Sequence, residues 1–224
     1  MRIAFFGGSF DPPHRGHLAI ANAAIKRLAL DRVWMAPAGV QPLKVHDFAT
    51  SYEDRLAMVG LAVAGDPRII ASAVDAPRSD GRPNFTIDVL LQIKAALLES
   101  DRLFFLLGAD AFLSLRQWHR AAELPFVCEF VVAGRPGFSI DDLTTALPEI
   151  IAAARETGSD ASPELIAWEL RDQQGRQSKL YLMPDLHEDI SATDIRSAVT
   201  GEKSAEGVLC PSVLRYIEGK GLYR

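Results

Sequence analysis

"RIAFFGGSFDPPHRGH", residues 2–17, runs from a short apolar stretch straight into a loop crowded with special residues. Residues 2–6 read as a buried strand. The loop then places two glycines, two prolines and two histidines three apart, far more constraint than a strand-to-helix turn requires. Gly7 and Gly8 would let the backbone approach a ligand closely and adopt positive φ, and Pro12 and Pro13 stiffen the loop. His17 falls in the first turn of a helix predicted over residues 17–29, with His14 just before it. The free N–H groups and positive dipole end of such a helix favour phosphate, and two imidazoles beside it can donate hydrogen bonds to phosphoryl oxygens. A plain turn with incidental histidines is the bland alternative, and the whole constellation argues against it. The H-x-x-H spacing has no third soft ligand nearby to make a zinc site. Neither the dinucleotide fingerprint nor a Walker A loop is present.

Outward from this stretch, apolar strand candidates alternate with amphipathic helix candidates. Strands are predicted over 32–36, 68–74, 103–107 and 126–133, and helices over 53–63, 86–99 and 110–124. Short, continuously apolar strands separated by helices predict an α/β fold with a doubly wound parallel sheet. Ligands in such sheets sit at the carboxyl ends of strands, which directs attention to the loops after residues 6, 36, 107 and 183. An acidic stretch interrupts the alternation. It carries a helix candidate over 141–156, a turn-rich GSDASP patch, and a possible hairpin from LIAWEL to KLYLMP. The expectation is one domain, residues 1–224, with an acidic insertion near 139–179.

Composition limits the function classes. The chain has 224 residues, 48% of them hydrophobic, within the range of one large α/β domain. No apolar run reaches the roughly 18 residues of a membrane span, and no signal peptide is evident, so a cytoplasmic protein without a membrane partner is expected. Two cysteines do not build a disulfide framework. Residues 139–172, with eight acidic and two basic side chains, balance at −6 and so account for more than the whole net charge of −5. The remainder is nearly balanced, which does not suit a nucleic-acid partner. Whether copies of the chain associate into a homo-oligomer is left open.

The loop GGSFDPPHRGH resembles the (T/S)-F-D-P-x-H-x-G-H loop of the nucleotidylyltransferases, and "ISATDIR" (190–196) resembles their I-S-x-T-x-[IV]-R segment. The two bracket almost the whole chain in the right order. This resemblance implies a Rossmann-like nucleotidylyltransferase fold. It also implies that Gly7, Gly8, Ser9, Phe10, His14 and His17 meet ATP from one side, with Ser191, Thr193 and Arg196 on the other. The second segment agrees on its own chemistry: Ser191 or Thr193 can cap a helix beginning near 193, and Arg196 offers a planar charge suited to phosphate. Read alone, it is equally a capped surface helix.

"NFTIDVL" (84–90), "LLGADAFLSLRQWHR" (106–120), "VVAGRPGF" (131–138), "PSVLRYIEGKGLY" (211–223) and "PAGVQPLK" (37–44) narrow the resemblance to bacterial nicotinate mononucleotide adenylyltransferases. That family implies ATP and nicotinate mononucleotide as substrates, Mg²⁺ carried mainly by the ATP phosphates, and Lys44 at the pyrophosphate end. His14, His17, Lys44 and Arg196 would then be catalytic, with Gly108 and Asp110 also at the ATP. Thr86, Asp110 and Arg135 would seat the acceptor, with Trp118 stacked on its pyridine ring. Taken alone, Trp118 reads as core, Thr86 and Asp88 as a helix N-cap with an acidic first turn, and Arg135 as a solvated loop charge. The chain departs from the family at Phe85, where Tyr is common, at His119, where an aromatic is common, and at Ala192, where Ser is. Ala38 and Leu43 replace an Asn and a His of many relatives. An adenylyltransferase for another acceptor, phosphopantetheine or nicotinamide mononucleotide, and a silent nucleotide-binding module are the alternatives.

Overall fold

In the computed structural model, residues 1–40, 48–134, 140–155, 164–184, 186, 196 and 207–223 are described. The opening apolar run is β1 (Arg2–Gly8), an interior strand, third in order, of an eight-stranded sheet. It is followed by α1 (Arg15–Leu28), β2 (Arg32–Pro37), α2 (Tyr52–Val63), β3 (Ile69–Ala71), α3 (Thr86–Ala96) and β4 (Arg102–Gly108). Next come α4 (Ala109–Leu113), a 3₁₀ turn over Leu115–Gln117, α5 (Leu124–Val127), β5 (Glu129–Ala133), α6 (Ile140–Ala146), β6 (Ile151–Arg155), β7 (Ile166–Asp172), β8 (Gln177–Met183) and α7 (Pro211–Lys220).

The sheet order is β3-β2-β1-β4-β5-β8-β7-β6. Strands β3 through β8 in that order are parallel, β7 runs antiparallel to β8, and β6 antiparallel to β7. Strand alternation explains why the central runs are apolar without interruption. Phe5, Phe105, Phe130 and Leu180 face a layer that includes Ile87 and Leu90 of α3, Phe112 of α4 and Leu143 of α6. Phe6, Phe104, Val131 and Tyr181 face the opposite layer, built by α1 and by Val59 and Val63 of α2. Each fully buried Phe contributes about 1.5–3 kcal/mol, so the sheet centre is also the centre of stability. After β3 the chain crosses to the other side of β1, which makes the β1/β4 boundary the topological switch point.

The parallel α/β core and the hairpin expected between LIAWEL and KLYLMP are borne out as β1–β5 and as β7–β8. The helix expected over 141–156 is not. It ends at Ala146, Pro148 follows, and Ile151–Arg155 pairs antiparallel with β7 as the sheet edge. Proline lacks the N–H to continue the helix, and pairing with β7 outweighs the helix propensity of the alanines. The acidic segment is therefore the edge of the sheet itself, and it buries Trp168 and Leu170 in the main core. The helix expected over 110–124 likewise breaks, with Arg120 at φ 54 and Pro125 in the first turn of α5. Strand β5 consequently begins at Glu129 rather than 126, and β3 is shorter than the expected 68–74. The helix expected near 193 lies outside the described residues apart from Arg196.

Candidate active site

A cavity of about 850 Å³ opens at the carboxyl ends of β1 and β4. Gly7, Gly8, Ser9, His14 and His17 line one wall. Thr86, Gly108, Asp110 and Trp118 line another. This gathers nine of the residues read from the sequence into one space.

The phosphate-type wall is shaped by packing beneath it. Gly7 and Gly8 do not use positive φ as expected; the left-handed residue is Phe10, at φ 48. The glycines are required by space instead. A Cβ on Gly7 would come 3.0 Å from the Phe5 ring, and one on Gly8 3.1 Å from the Phe10 ring. The Phe10 ring is itself fully buried, edge-on to Phe6 at 5.4 Å and to His17 at 4.8 Å, which holds its unfavourable backbone in place. Underneath, buried Arg55 donates to the Ser9 carbonyl at 3.0 Å and lies over the Phe48 ring at 3.8 Å.

His14 caps α1 and His17 is its third helical residue, with ring centroids 3.7 Å apart. The His14 backbone N–H donates to His17 Nδ1 at 3.2 Å, which leaves Nε2 as the protonated, donating nitrogen of a neutral ring. Burial holds His14 down at about 4, and burial reinforced by His14 holds His17 well below the ordinary histidine value. His14 Nδ1 is buried with no hydrogen-bond partner. The first turn of α1 carries no acidic residue. A pair of neutral imidazoles, one with an orphaned polar atom, at the N-terminus of a helix with no acidic residue in its first turn is an arrangement that can accept an anion.

The facing wall is organised around the start of α3. Phe85 is its N-cap, rather than Thr86, and Thr86 is its first residue. The Phe85 ring lies against His119, tilted by 32° with centroids 4.2 Å apart. Trp118 is held by its own indole N–H, which donates to Ser114 Oγ at 2.9 Å, and by Phe105 at 6.0 Å. Asn84 pins the approach to α3: its Nδ2 donates to Asp75 Oδ1 at 2.9 Å and to the Ala76 carbonyl at 2.8 Å. Burial pushes the Asp75 carboxyl up to about 6, against the opposing pull of Asn84 and Arg55. Gly39 fits closely here, since a Cβ would meet the Asp75 carbonyl at 2.6 Å.

Lys44, Arg135, Ser191 and Thr193 lie outside the described residues. Arg196 is described, and it donates to the Asp11 carbonyl at 2.8 Å, within the histidine loop. Asp75, Asn84 and Arg55 escaped the sequence reading. Asp75 and Asn84 were within reach, because the loop after β3 leaves the same sheet end as the loops that were singled out. Arg55 was not, because a helix position facing the core ordinarily holds an apolar side chain.

The cytidylyltransferase-like family model matches residues 5–198. A protein of Geobacillus kaustophilus, named "Probable nicotinate-nucleotide adenylyltransferase", is 38% identical over 82% of this chain and 80% of its own length. One of Chromobacterium violaceum with the same name is 34% identical over 100% of this chain and 99% of its own. Among solved structures, Plasmodium falciparum nicotinic acid mononucleotide adenylyltransferase complexed with NaAD superposes with a TM-score of 0.71 at 18% identity, covering 99% of this chain and 97% of that one. The fold and its switch-point cavity are those of a nucleotidyltransferase. The chain belongs to the cytidylyltransferase-like family and, within it, to the nicotinate-nucleotide adenylyltransferases.

Proposed function

We propose that the cavity at the β1/β4 switch joins ATP to nicotinate mononucleotide, giving nicotinate adenine dinucleotide and pyrophosphate in NAD biosynthesis. The observation that carries this reading is the meeting, in one cavity, of the neutral histidine pair on one wall with Thr86 and the anchored Trp118 on the other. The acceptor's 5′-phosphate oxygen attacks the α-phosphorus of ATP in line. One P–O bond forms, the bond to the bridging α–β oxygen breaks, and the electron pair leaves on pyrophosphate. Phosphate is already a competent nucleophile, so this chain contributes position and charge stabilisation rather than a covalent intermediate.

In this reading Gly7, Gly8, Ser9 and Phe10 give the loop its shape, and His17 Nε2–H and His14 donate to phosphoryl oxygens. Because both rings are held neutral, positive charge comes from the helix end, Lys44 and Arg196, with Ser191 and Thr193 alongside. Gly108 and Asp110 border the nucleotide. Trp118 stacks on the pyridine ring, while backbone donors near Thr86 and Asp110 meet its carboxylate and Arg135 the acceptor phosphate. Among the described residues no group of three His, Cys, Asp or Glu side chains could hold a metal. Mg²⁺ would in this reading be carried by the triphosphate oxygens and water, and would supply neutralisation of the phosphate charge. The reading is of a cytoplasmic enzyme built as one domain; no helix among the described residues is long and apolar enough to cross a membrane.

Pyrophosphate release with ATP and each of nicotinate mononucleotide, its amide and phosphopantetheine tests the reading. Turnover only with phosphopantetheine, or with none of the three, overturns it.

A further inference from the structure

The loop between β1 and α1 is held by residues distant in sequence that converge on Asp11. This carboxylate is 1% exposed and accepts three hydrogen bonds: the Ala49 N–H at 2.6 Å on Oδ2, and the hydroxyls of Thr50 at 2.7 Å and Tyr223 at 2.6 Å on Oδ1. Arg196 holds the carbonyl of the same residue at 2.8 Å. Tyr223 follows α7, and α7 is docked in turn on α2. Val213 and Ile217 pack with Met58, Tyr216 donates to Asp54 at 2.8 Å, and Ser212 donates to the Leu61 carbonyl at 3.1 Å. The turn before α7 reaches the other end of the loop, where Arg15 N–H donates to the Val208 carbonyl at 3.0 Å and its guanidinium to the Gly207 carbonyl at 2.6 Å.

We propose that Tyr223 is a positioning residue, the tip of a clasp through which α7 holds the histidine loop in its ATP-binding shape. This rests on the assignment of that loop to ATP. The loop contains a strained non-glycine residue at Phe10 and a buried His14 nitrogen with no partner, so its shape is not self-supporting. Asp11 lies between them, one residue beyond Phe10. A buried carboxylate that loses a donor seeks water, and the loop has to move to provide it. Burial, with the hydrogen bond to Asp11, pushes the Tyr223 phenol up, so it remains a donor throughout the working pH range.

The experiment is Tyr223→Phe in the full chain, which removes one hydroxyl. A hydrogen bond to a charged group supports an equilibrium by about ten- to a hundredfold. A smaller fraction of loops in the competent shape weakens apparent ATP affinity by the same factor. The expected result is a rise of about fivefold or more in the ATP Kd by calorimetry and in the KM for ATP. At saturating ATP, kcat and the KM for nicotinate mononucleotide should stay within about twofold, because bound ATP restores the loop. Simple destabilisation gives the opposite split, with less active protein and an unchanged KM. If Tyr223→Phe does not accumulate as folded protein, Thr50→Val removes the other hydroxyl from the same Oδ1 and should show the same split. An unchanged ATP Kd in the variant that folds overturns the clasp. A wild-type chain that binds ATP but releases no pyrophosphate with nicotinate mononucleotide counts against the proposed reaction instead.

Discussion

Replacing His14 with Gln should remove a specific part of the pH dependence of stability. In the folded chain burial holds this imidazole at about 4, against 6.5 for an ordinary histidine. Between these values the unfolded chain binds a proton that the native chain refuses. Stability is therefore full above pH 6.5 and falls as the pH drops toward 4. Integrated from about pH 7.5 to about pH 5, His14 alone costs about 2 kcal/mol. His17 acts in the same direction. Asp75 acts oppositely. Its carboxyl is pushed up to about 6 by burial, so the native state is relieved as this group protonates, returning about 1 kcal/mol over the same interval. Asp75 is common to both proteins and drops out of the comparison. Urea unfolding of wild type and His14→Gln at the two pH values should thus show the wild type losing about 2 kcal/mol more than the variant. Equal losses would refute the claim that His14 is buried neutral, and with it the view that the loop offers hydrogen bonds rather than charge.

His17→Ala should lower kcat by about 10²–10³ while the fold persists by circular dichroism, since a preorganised donor to a charged transition state is lost; wild-type turnover would exclude His17 from the site. The acid should be preferred over the amide by about ten- to a hundredfold in kcat/KM, because a carboxamide leaves a buried donor unpaired. Trp118→Ala should weaken both acceptors and leave that ratio unchanged, which competition kinetics would show. Trp168→Ala should cost about 3–5 kcal/mol in urea unfolding, as the residue is 2% exposed in the core, while specific activity per folded molecule stays near wild type. A cost below about 1 kcal/mol would refute the placement of Trp168 in the main core.

What could be read from the chain beforehand divides by the range of the interactions responsible. β1 and β4 were legible because a strand covered on both faces must be apolar at every position, as Ile3 to Phe6 and Leu103 to Leu107 are. The histidine loop was legible because its special residues fall within ten positions, with Gly7 and Gly8 beside the Phe5 and Phe10 rings and His14 at the cap of α1. Ile151–Arg155 was not: three alanines favour a helix locally, and only the partner strand β7 decides otherwise. Asp11 is the sharpest case. Locally it is one more residue in a motif, yet one of its three donors lies 212 positions away. A local pattern can thus announce where phosphate chemistry happens, while the residues that keep the pattern in shape are visible only once the chain has closed on itself. Substitutions at Tyr223 or Thr50 would therefore leave the histidine loop's own sequence intact and still change how the enzyme holds ATP.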